Sequence, residues 1–505
     1  MTIKRHNARQ RTRQAALAGC ITLLMSACGS QVGHDRIVAV GNGYGLATGA
    51  GTAAGGTGAP GAIPGTQTGV SGPGAPAAVG GVAPGNAVGA GTPGAAGGPI
   101  TGTTRRTAAG GPAKAGGSGG SGSTAAGSGS TAGCAKQLSP VVIGQTLATS
   151  GLIGATVGNL RTGLQIWSKD VNSRGGVQCH PVQLYSLDDG SDSARVSSNW
   201  NTLVHDKGAV ALLGAGEPIT IGALRSSAER DKVAVIGGDL VATDWFASPY
   251  LFPQGGPPLS TYDGATVAAA QGTPSAKSSG LIYCVEASIC TGIKDNFPRS
   301  VQRAGLQLGP LKASSLTQSD FTAECQTMKD AGVGVLWMAL DGSAVTRVAR
   351  SCAQLNYHPT LATSAIGVSA QAAMDQNVQQ DGVYLGAGIA PFSDLSTPAG
   401  QEFDAAIKRY APGFTPDQNT MAGWSSGKLF EAAMAKVAPE ALSGDVTVAM
   451  VLKGLWSLRD EKLNGLSMGV TFTKEQPAQS HDCYYILKLD GRGVTSPHGS
   501  KLNCF

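Results

Sequence analysis

From Leu138 onward, short apolar runs alternate with stretches patterned at helical spacing, and this alternation leaves few architectures open. VVIGQTL (141–147) reads as a buried strand, followed by the Gly-rich turn TSGLIGATVG. Residues 158–172 place Leu160, Leu164, Ile166 and Trp167 near one helical face, and Arg174-Gly175-Gly176 ends that helix as a glycine C-cap does. HPVQLYSLDD (180–189) is the next strand, then helix 192–207, strand 209–216, helix 219–230 and strand 233–238. This predicts a parallel, doubly wound α/β sheet. The pattern then recurs: strand 280–286, helix 292–304, a strand near 309–313, helix 320–331, strand 333–340, helix 343–355, a strand near 360–364 and a strand in 381–389. Helices over 398–410, 419–438 and 445–456 precede strands at 468–472 and 482–490. Two such units, with the chain returning to the first, predict two lobes. Their strands' carboxyl ends would face a shared cleft, where ligands of open α/β sheets lie.

The N-terminal quarter has a different character. Between Gly41 and Gly133, 32 of 93 residues are glycine and three are charged: Arg105, Arg106 and Lys114. Such a stretch has too few large apolar side chains to offset the entropy of ordering. It reads as a disordered tether over 28–133, outside any fold. The net charge of +5 comes from this end of the chain. Residues from 134 onward hold 28 Lys/Arg and 31 Asp/Glu. A slightly acidic body with no basic cluster argues against nucleic acid as a partner.

Residues 1–27 read as an export signal, with a basic stretch to Arg13 and an apolar run from Ala15 to Ala27. At 13 residues the run is too short to span a bilayer comfortably. Met25-Ser26-Ala27-Cys28 is similar to a bacterial lipobox, which implies lipidation of Cys28; Met25 stands where leucine is usual. The expected location is extracytoplasmic, lipid-anchored to the cell membrane. Apart from Cys20 and Cys28, eight cysteines remain, an even number suited to disulfides in an exported chain, and none has zinc-ligand spacing.

IGQTLATSGLIGATVGNLRTGLQIWSKDVNSRGGV, YSLDDGSDSARV, ALLGAG and VAVIGG, with GVYLGAGIAPF and GLSMGVTF further on, resemble the solute-binding proteins of branched-chain amino acid ABC importers. The resemblance covers about 138–495. It implies a type I periplasmic binding fold: two Rossmann-like lobes with parallel sheets, joined by a three-crossover hinge. Lobe I would comprise 134–256 plus 388–470, and lobe II 257–385 plus 474–505. The implied function is capture of a small solute and delivery to an importer permease by a monomeric, cofactor-free protein that is not an enzyme. A ligand-sensing receptor on the same scaffold is the alternative. The order of elements suggests four disulfides: Cys134–Cys179 at neighbouring strand starts, Cys284–Cys290 across one loop, Cys325–Cys352 between successive helices, and Cys483–Cys504 in the tail.

Ligand-touching loops of the family fall on Thr149 and Ser150, on Gly216 and Glu217, on Asp239 and Leu240, on Glu286 and Ser288, and on Asp341 and Ala365. Pro218 occupies the place of a carboxylate-binding hydroxyl, and Ala365 that of the acid that receives an amino acid's ammonium. The amino-acid pocket is therefore not visible in this chain. Four acids near strand ends (Glu217, Asp239, Glu286 and Asp341) and no base in those loops predict a neutral or cationic ligand. Its apolar part would pack on Trp245 or Trp337. The same acids would serve equally well as helix caps.

Gly423-Trp424-Ser425-Ser426-Gly427 matches the nucleophile-elbow pattern, which would make Ser425 a hydrolase nucleophile. That motif needs a strand before the serine; this one lies in a predicted helix, where small residues indicate close helix packing. Asp188 and Asp189, adjacent on a strand, point to opposite faces and read as solvated or capping groups. No residue set suggests a metal site.

Overall fold

The computed structural model describes Cys134 and residues 136–505. The export segment, Cys28 and the Gly-rich tether lie outside the described residues.

Two sheets organise the molecule. The first has the order β2-β1-β3-β4-β5, all parallel, with β1 Val141–Leu147, β2 Val182–Asp188, β3 Ala211–Ala215, β4 Ala234–Gly238 and β5 Leu251–Phe252. Helices α1 (Asn159–Ser173), α2 (Ser193–Trp200) and α3 (Ile221–Asp231) make its crossovers. Strands β1, β3 and β4 are almost wholly buried, as helices on both faces require. The expected helix over 192–207 is α2 followed by a wider π-helical turn at Asn201–Asp206.

The second sheet has the order β14-β13-β10-β9-β8-β6-β7. Its parallel strands are β6 Ser278–Cys284, β7 Gln307–Ser314, β8 Val335–Ala339, β9 Thr360–Ser364 and β10 Val383–Ala387. The short antiparallel pair β11 Val470–Thr471 and β12 Gln479–Ser480 stands apart, and the strands β13 Cys483–Asp490 and β14 Gly493–Thr495 extend the second sheet antiparallel. Helix α4 (Pro258–Gly272) enters this lobe and packs on β9, β10 and β13. Helices α5 (Ser288–Arg303), α6 (Thr322–Asp330), α7 (Gly342–Gln354) and α8 (Gln376–Asp381) follow. Helix α5 begins four residues earlier than its pattern predicts.

After β10 the chain returns to the first sheet. Helices α9 (Pro398–Tyr410), α10 (Gln418–Lys436) and α11 (Val448–Leu455) form there, with α10 laid against β3, β4 and α1. The α1–α10 contact is close because glycines face each other. A Cβ on Gly163 would lie 3.0 Å from Trp424 N and closer still to Thr420 O. A Cβ on Gly423 would lie 2.8 Å from Leu164 N and closer still to Leu160 O.

The chain crosses between lobes after β5, after β10 and before β13. Two of the crossing segments are joined by a Gly256 N–H donating to Gly388 O at 2.8 Å. Gln254 grips the end of β4, donating from Nε2 to Gly238 O (2.7 Å) and accepting from Gly238 N (3.0 Å). All four expected disulfides are present: Cys134–Cys179, Cys284–Cys290, Cys325–Cys352 and Cys483–Cys504.

Candidate functional site

The carboxyl ends of β1, β3 and β4 face those of β6, β7, β8 and β9 across a gap between the lobes. The gap holds a cavity in which the centre of a water-sized sphere can sweep about 90 Å³. On that measure there is room for several water-sized groups, as a small ligand needs. The first lobe contributes Ile153, Val157, Pro218, Ile219 and Val241 to the walls. The second contributes Tyr262, Ile293, Leu316, Trp337, Leu340 and Ile366. The lining contains no Lys, Arg or His, and its one acid is Asp341.

Hydrogen bonds tie the lobes together around this cavity. Thr156 Oγ1, on the first lobe, accepts from Gly342 N on the second at 3.1 Å. Tyr262 OH donates to Val241 O. Asn419 Nδ2 donates to Ile366 O at 3.1 Å. The Gly342 contact is informative because Gly342 opens α7, where amides lack intrahelical partners. Asp341 accepts from Ser343 N (3.0 Å) and Ala344 N (3.2 Å), so the opposite lobe supplies the remaining acceptor for this helix start.

The ten residues named from the sequence do not converge on the cavity. Only Asp341 lines it, and its carboxylate is engaged as the α7 N-cap, accepting also from Ser343 Oγ at 2.6 Å. Thr149 and Ser150 are held against Asp188, whose Oδ1 accepts from both of their amides. Gly216 packs on the Leu147, Leu160 and Val157 side chains. Ala365 is buried beside the lining residues Ser364 and Ile366. Asp239 and Leu240 border a smaller, more polar cavity with Gln254, Thr261 and Gln418. Ser288 faces a groove on the other side of Tyr262 and Ile289. Glu286 accepts from Ser315 Oγ (2.6 Å) and Leu316 N (2.8 Å), fixing the loop after β7. Trp245 is core, packed beneath Gly238, whereas Trp337 does line the cavity.

The remaining acids form a buried network in the first lobe. Glu217 is fully buried and accepts from Thr220 Oγ1, while its amide donates to Asp239 Oδ2 at 2.9 Å. Burial first, then the neighbouring Asp189 carboxylate, push the Glu217 carboxyl well above the usual range. Burial also raises Asp189, against donors that include Ser191 N at 2.8 Å. Two carboxyls in contact cannot both ionise cheaply, so the pair keeps a proton on Glu217. Burial lifts Asp239 to about 6, despite amides donated by Val241 and Glu217. Asp188 differs: burial would raise it, but Ser150 Oγ and three backbone amides hold it well below the carboxylate range.

After β3 and β4 the residues named from the sequence lie one or two positions before those that line the cavity, and after β1 they lie three or more before them. Residues after β1 reach the cavity through the first helical turn (Ile153, Thr156, Val157), not through the Thr149-Ser150 loop. After β3 and β4 the lining residues are Pro218, Ile219 and Val241, each just past the acid that was singled out. The apolar residues inside TSGLIGATVG are the signal that could have indicated this. Tyr262 had no such signal, because α4 itself lacked one.

Ser425 lies inside α10, fully buried, with its Oγ donating to Met421 O at 2.8 Å; no strand precedes it and no elbow forms. Among the described residues no cluster of three or more His, Cys, Asp or Glu could hold a metal. No described helix is long and apolar enough to cross a membrane.

Residues 140–494 match the periplasmic binding protein family. The chain belongs to that family. No curated protein matches it in sequence. Solved structures share its fold. A substrate-binding periplasmic protein from Ralstonia solanacearum superposes with a TM-score of 0.62 at 17% identity, over 70% of this chain and 99% of that one. A fatty acid ABC transporter substrate-binding protein from Thermomonospora curvata gives 0.59 at 16%, over 72% and 94%. An R. palustris ABC-transporter solute-binding protein in complex with benzoate gives 0.59 at 15%, over 72% and 98%. At these identities the likeness establishes the type I periplasmic binding fold. The family consists of extracytoplasmic binding proteins rather than enzymes, and family membership places this chain outside the cytoplasm.

Proposed function

We propose that this chain is a lipid-anchored receptor that captures a small solute between its lobes and presents it to an ABC importer permease. The observation that carries this reading is the cavity enclosed by the strand ends of both sheets, because a molecule held there touches both lobes at once. Hinge closure over a ligand follows from that placement. The three crossing segments supply the pivot, and the Thr156–Gly342 bond is made only when the lobes meet. Relatives described with benzoate or as fatty acid binders support small-molecule capture in this fold. Cys28 would hold the mature chain at the membrane, and the Gly-rich stretch would give the receptor reach.

Native mass spectrometry of the full chain, released from the membranes of its own source, tests the reading. One small molecule per chain is expected, and Ile219→Trp, which fills the cavity, should abolish it in a protein of unchanged circular dichroism. Equal loading of both proteins would place the solute elsewhere and refute the proposal.

A further inference from the structure

Resting on the receptor reading, we propose that the solute is an elongated amphiphile whose apolar body fills the cavity described above and whose uncharged polar end lies in a second, outer chamber beyond Tyr262. The outer chamber lies between the same two lobes. The first lobe contributes Ala242, Thr243 and Asp244 to it, and the second contributes Ser288 and Gly292. Tyr262, Ile289 and Ile293 line both chambers, so these side chains are the wall between them. Tyr262 OH completes the wall by donating to Val241 O on the opposite lobe. Its ring is held edge-on to Trp337, with centroids 5.4 Å apart at 79°. Because Tyr262 and Val241 belong to different lobes, parting the lobes breaks their bond and joins the chambers into one cleft. A solute lying across both occupies the gap between Tyr262 and Val241 when the lobes close again.

The chambers differ in size and in chemistry. The centre of a water-sized sphere sweeps about 250 Å³ of the outer one, against about 90 Å³ of the inner. The inner surface is almost wholly carbon, since the Thr156, Thr363 and Ser364 hydroxyls show little of themselves to it. Its one acid, Asp341, takes three donors from its own helix, and it has no base. The outer surface is polar and apolar in nearly equal measure. Thr243 and Ser288 present exposed hydroxyls there, each able to donate and to accept. The one charge, Asp244, is already matched, its Oδ1 accepting from Arg225 Nη1 at 3.2 Å. A hydrocarbon segment therefore gains most in the inner chamber. A neutral hydrogen-bonding end loses least in the outer one.

Gly292 offers a way to block the outer chamber alone. It lines that chamber and not the inner one, and a Cβ placed on it meets no atom within 4 Å. Calorimetry on the full chain, stripped of its own solute, compares the parent with Gly292→Leu across 1-butanol, 1-hexanol, 1-octanol and 1-decanol. In the parent the affinity should rise about threefold to fourfold per added methylene through 1-decanol. In Gly292→Leu 1-butanol should bind as in the parent, but the rise should stop within the series, leaving 1-decanol at least about tenfold weaker than in the parent. Thr243→Val combined with Ser288→Ala should weaken 1-octanol about threefold to tenfold and leave 1-butanol unchanged. Equal 1-decanol affinity in the parent and Gly292→Leu would overturn the outer chamber while leaving the receptor reading intact. A loss of the same size for every member, 1-butanol included, would overturn it too, because the leucine would then be hindering closure. An unchanged 1-octanol affinity without the two hydroxyls would overturn the placement of the polar end. If no alcohol binds while the chain as isolated retains one small molecule in native mass spectrometry, the amphiphile is overturned and the receptor reading stands; if nothing is retained either, both fall.

Discussion

Alanine at Gly423 and alanine at Gly292 should change stability in opposite directions. Both glycines lie inside helices, where Gly→Ala alone contributes about 1 kcal/mol of stability. At Gly292, in α5, a Cβ meets no atom within 4 Å, so the full propensity gain of roughly 0.5–1 kcal/mol should appear. At Gly423 the new Cβ would lie 2.8 Å from Leu164 N and nearer to Leu160 O. These are backbone atoms of α1, which no rotamer change can move aside. The helices must part, loosening the packing of Trp167, Leu164 and Trp424 between them. Overpacking of this kind costs about 1–3 kcal/mol, and a rigid backbone obstacle belongs at the upper end. After the propensity gain, a net loss of about 2 kcal/mol is expected. Urea unfolding followed by far-ultraviolet circular dichroism measures both variants under one condition. A Gly423→Ala protein as stable as the parent would refute the idea that GWSSG exists for close helix contact.

Three further outcomes follow from the site. Asp341→Ala should destabilise the fold by about 1 kcal/mol through loss of the α7 cap and leave solute affinity nearly intact; thermal melts and calorimetry separate the two. Thr156→Val should weaken solute binding about threefold to tenfold, since closure would then bury Gly342 N without an acceptor, while unfolding of the open form stays unchanged. The buried acids give a pH dependence of stability. Because Asp239 titrates near 6 in the folded chain and burial with the neighbouring Asp189 carboxylate raises Glu217 well above its usual range, the folded state holds protons that the unfolded chain has released. Stability is therefore full below the unfolded pKa and falls as pH rises through the folded values, by on the order of 3 kcal/mol for Asp239 between about pH 4 and 6. Asp188, held low, contributes stability that is lost only at more acidic pH. Glu217→Gln, which resembles the protonated acid, should melt like the parent at pH 4.5 and higher than the parent at pH 8.

The parts of the structure that follow local periodicity were legible in the sequence. The βα alternation of both lobes depends on apolar faces repeating at strand or helix spacing, and β1, α1 and α9 fall within a residue of their expected bounds. The disulfides were legible for a related reason, since each cysteine lies at a strand or helix whose neighbour the topology dictates. Helix α4 was not, because it is buried on nearly every side and shows no apolar stripe to read. The cavity was harder still. Glu217, Asp239 and Asp341 sit at strand ends, as ligand residues do, but a carboxylate there can equally accept from the next helix's amides, and residue type does not distinguish the two roles. Which side chains reach the gap depends on the turn after each strand, and there Pro218, Ile219 and Val241 displace the acids beside them.

Hydrogen–deuterium exchange of the full chain, as isolated with its solute and after that solute is stripped by unfolding and refolding, tests the central claim most directly. Capture between the lobes predicts added protection on both walls together, at Ile153–Val157 and Pro218–Ile219 in the first lobe and at Trp337–Gly367 in the second. Protection confined to one lobe, or found instead around Val267–Gln307 at the far end of the second sheet, would contradict it.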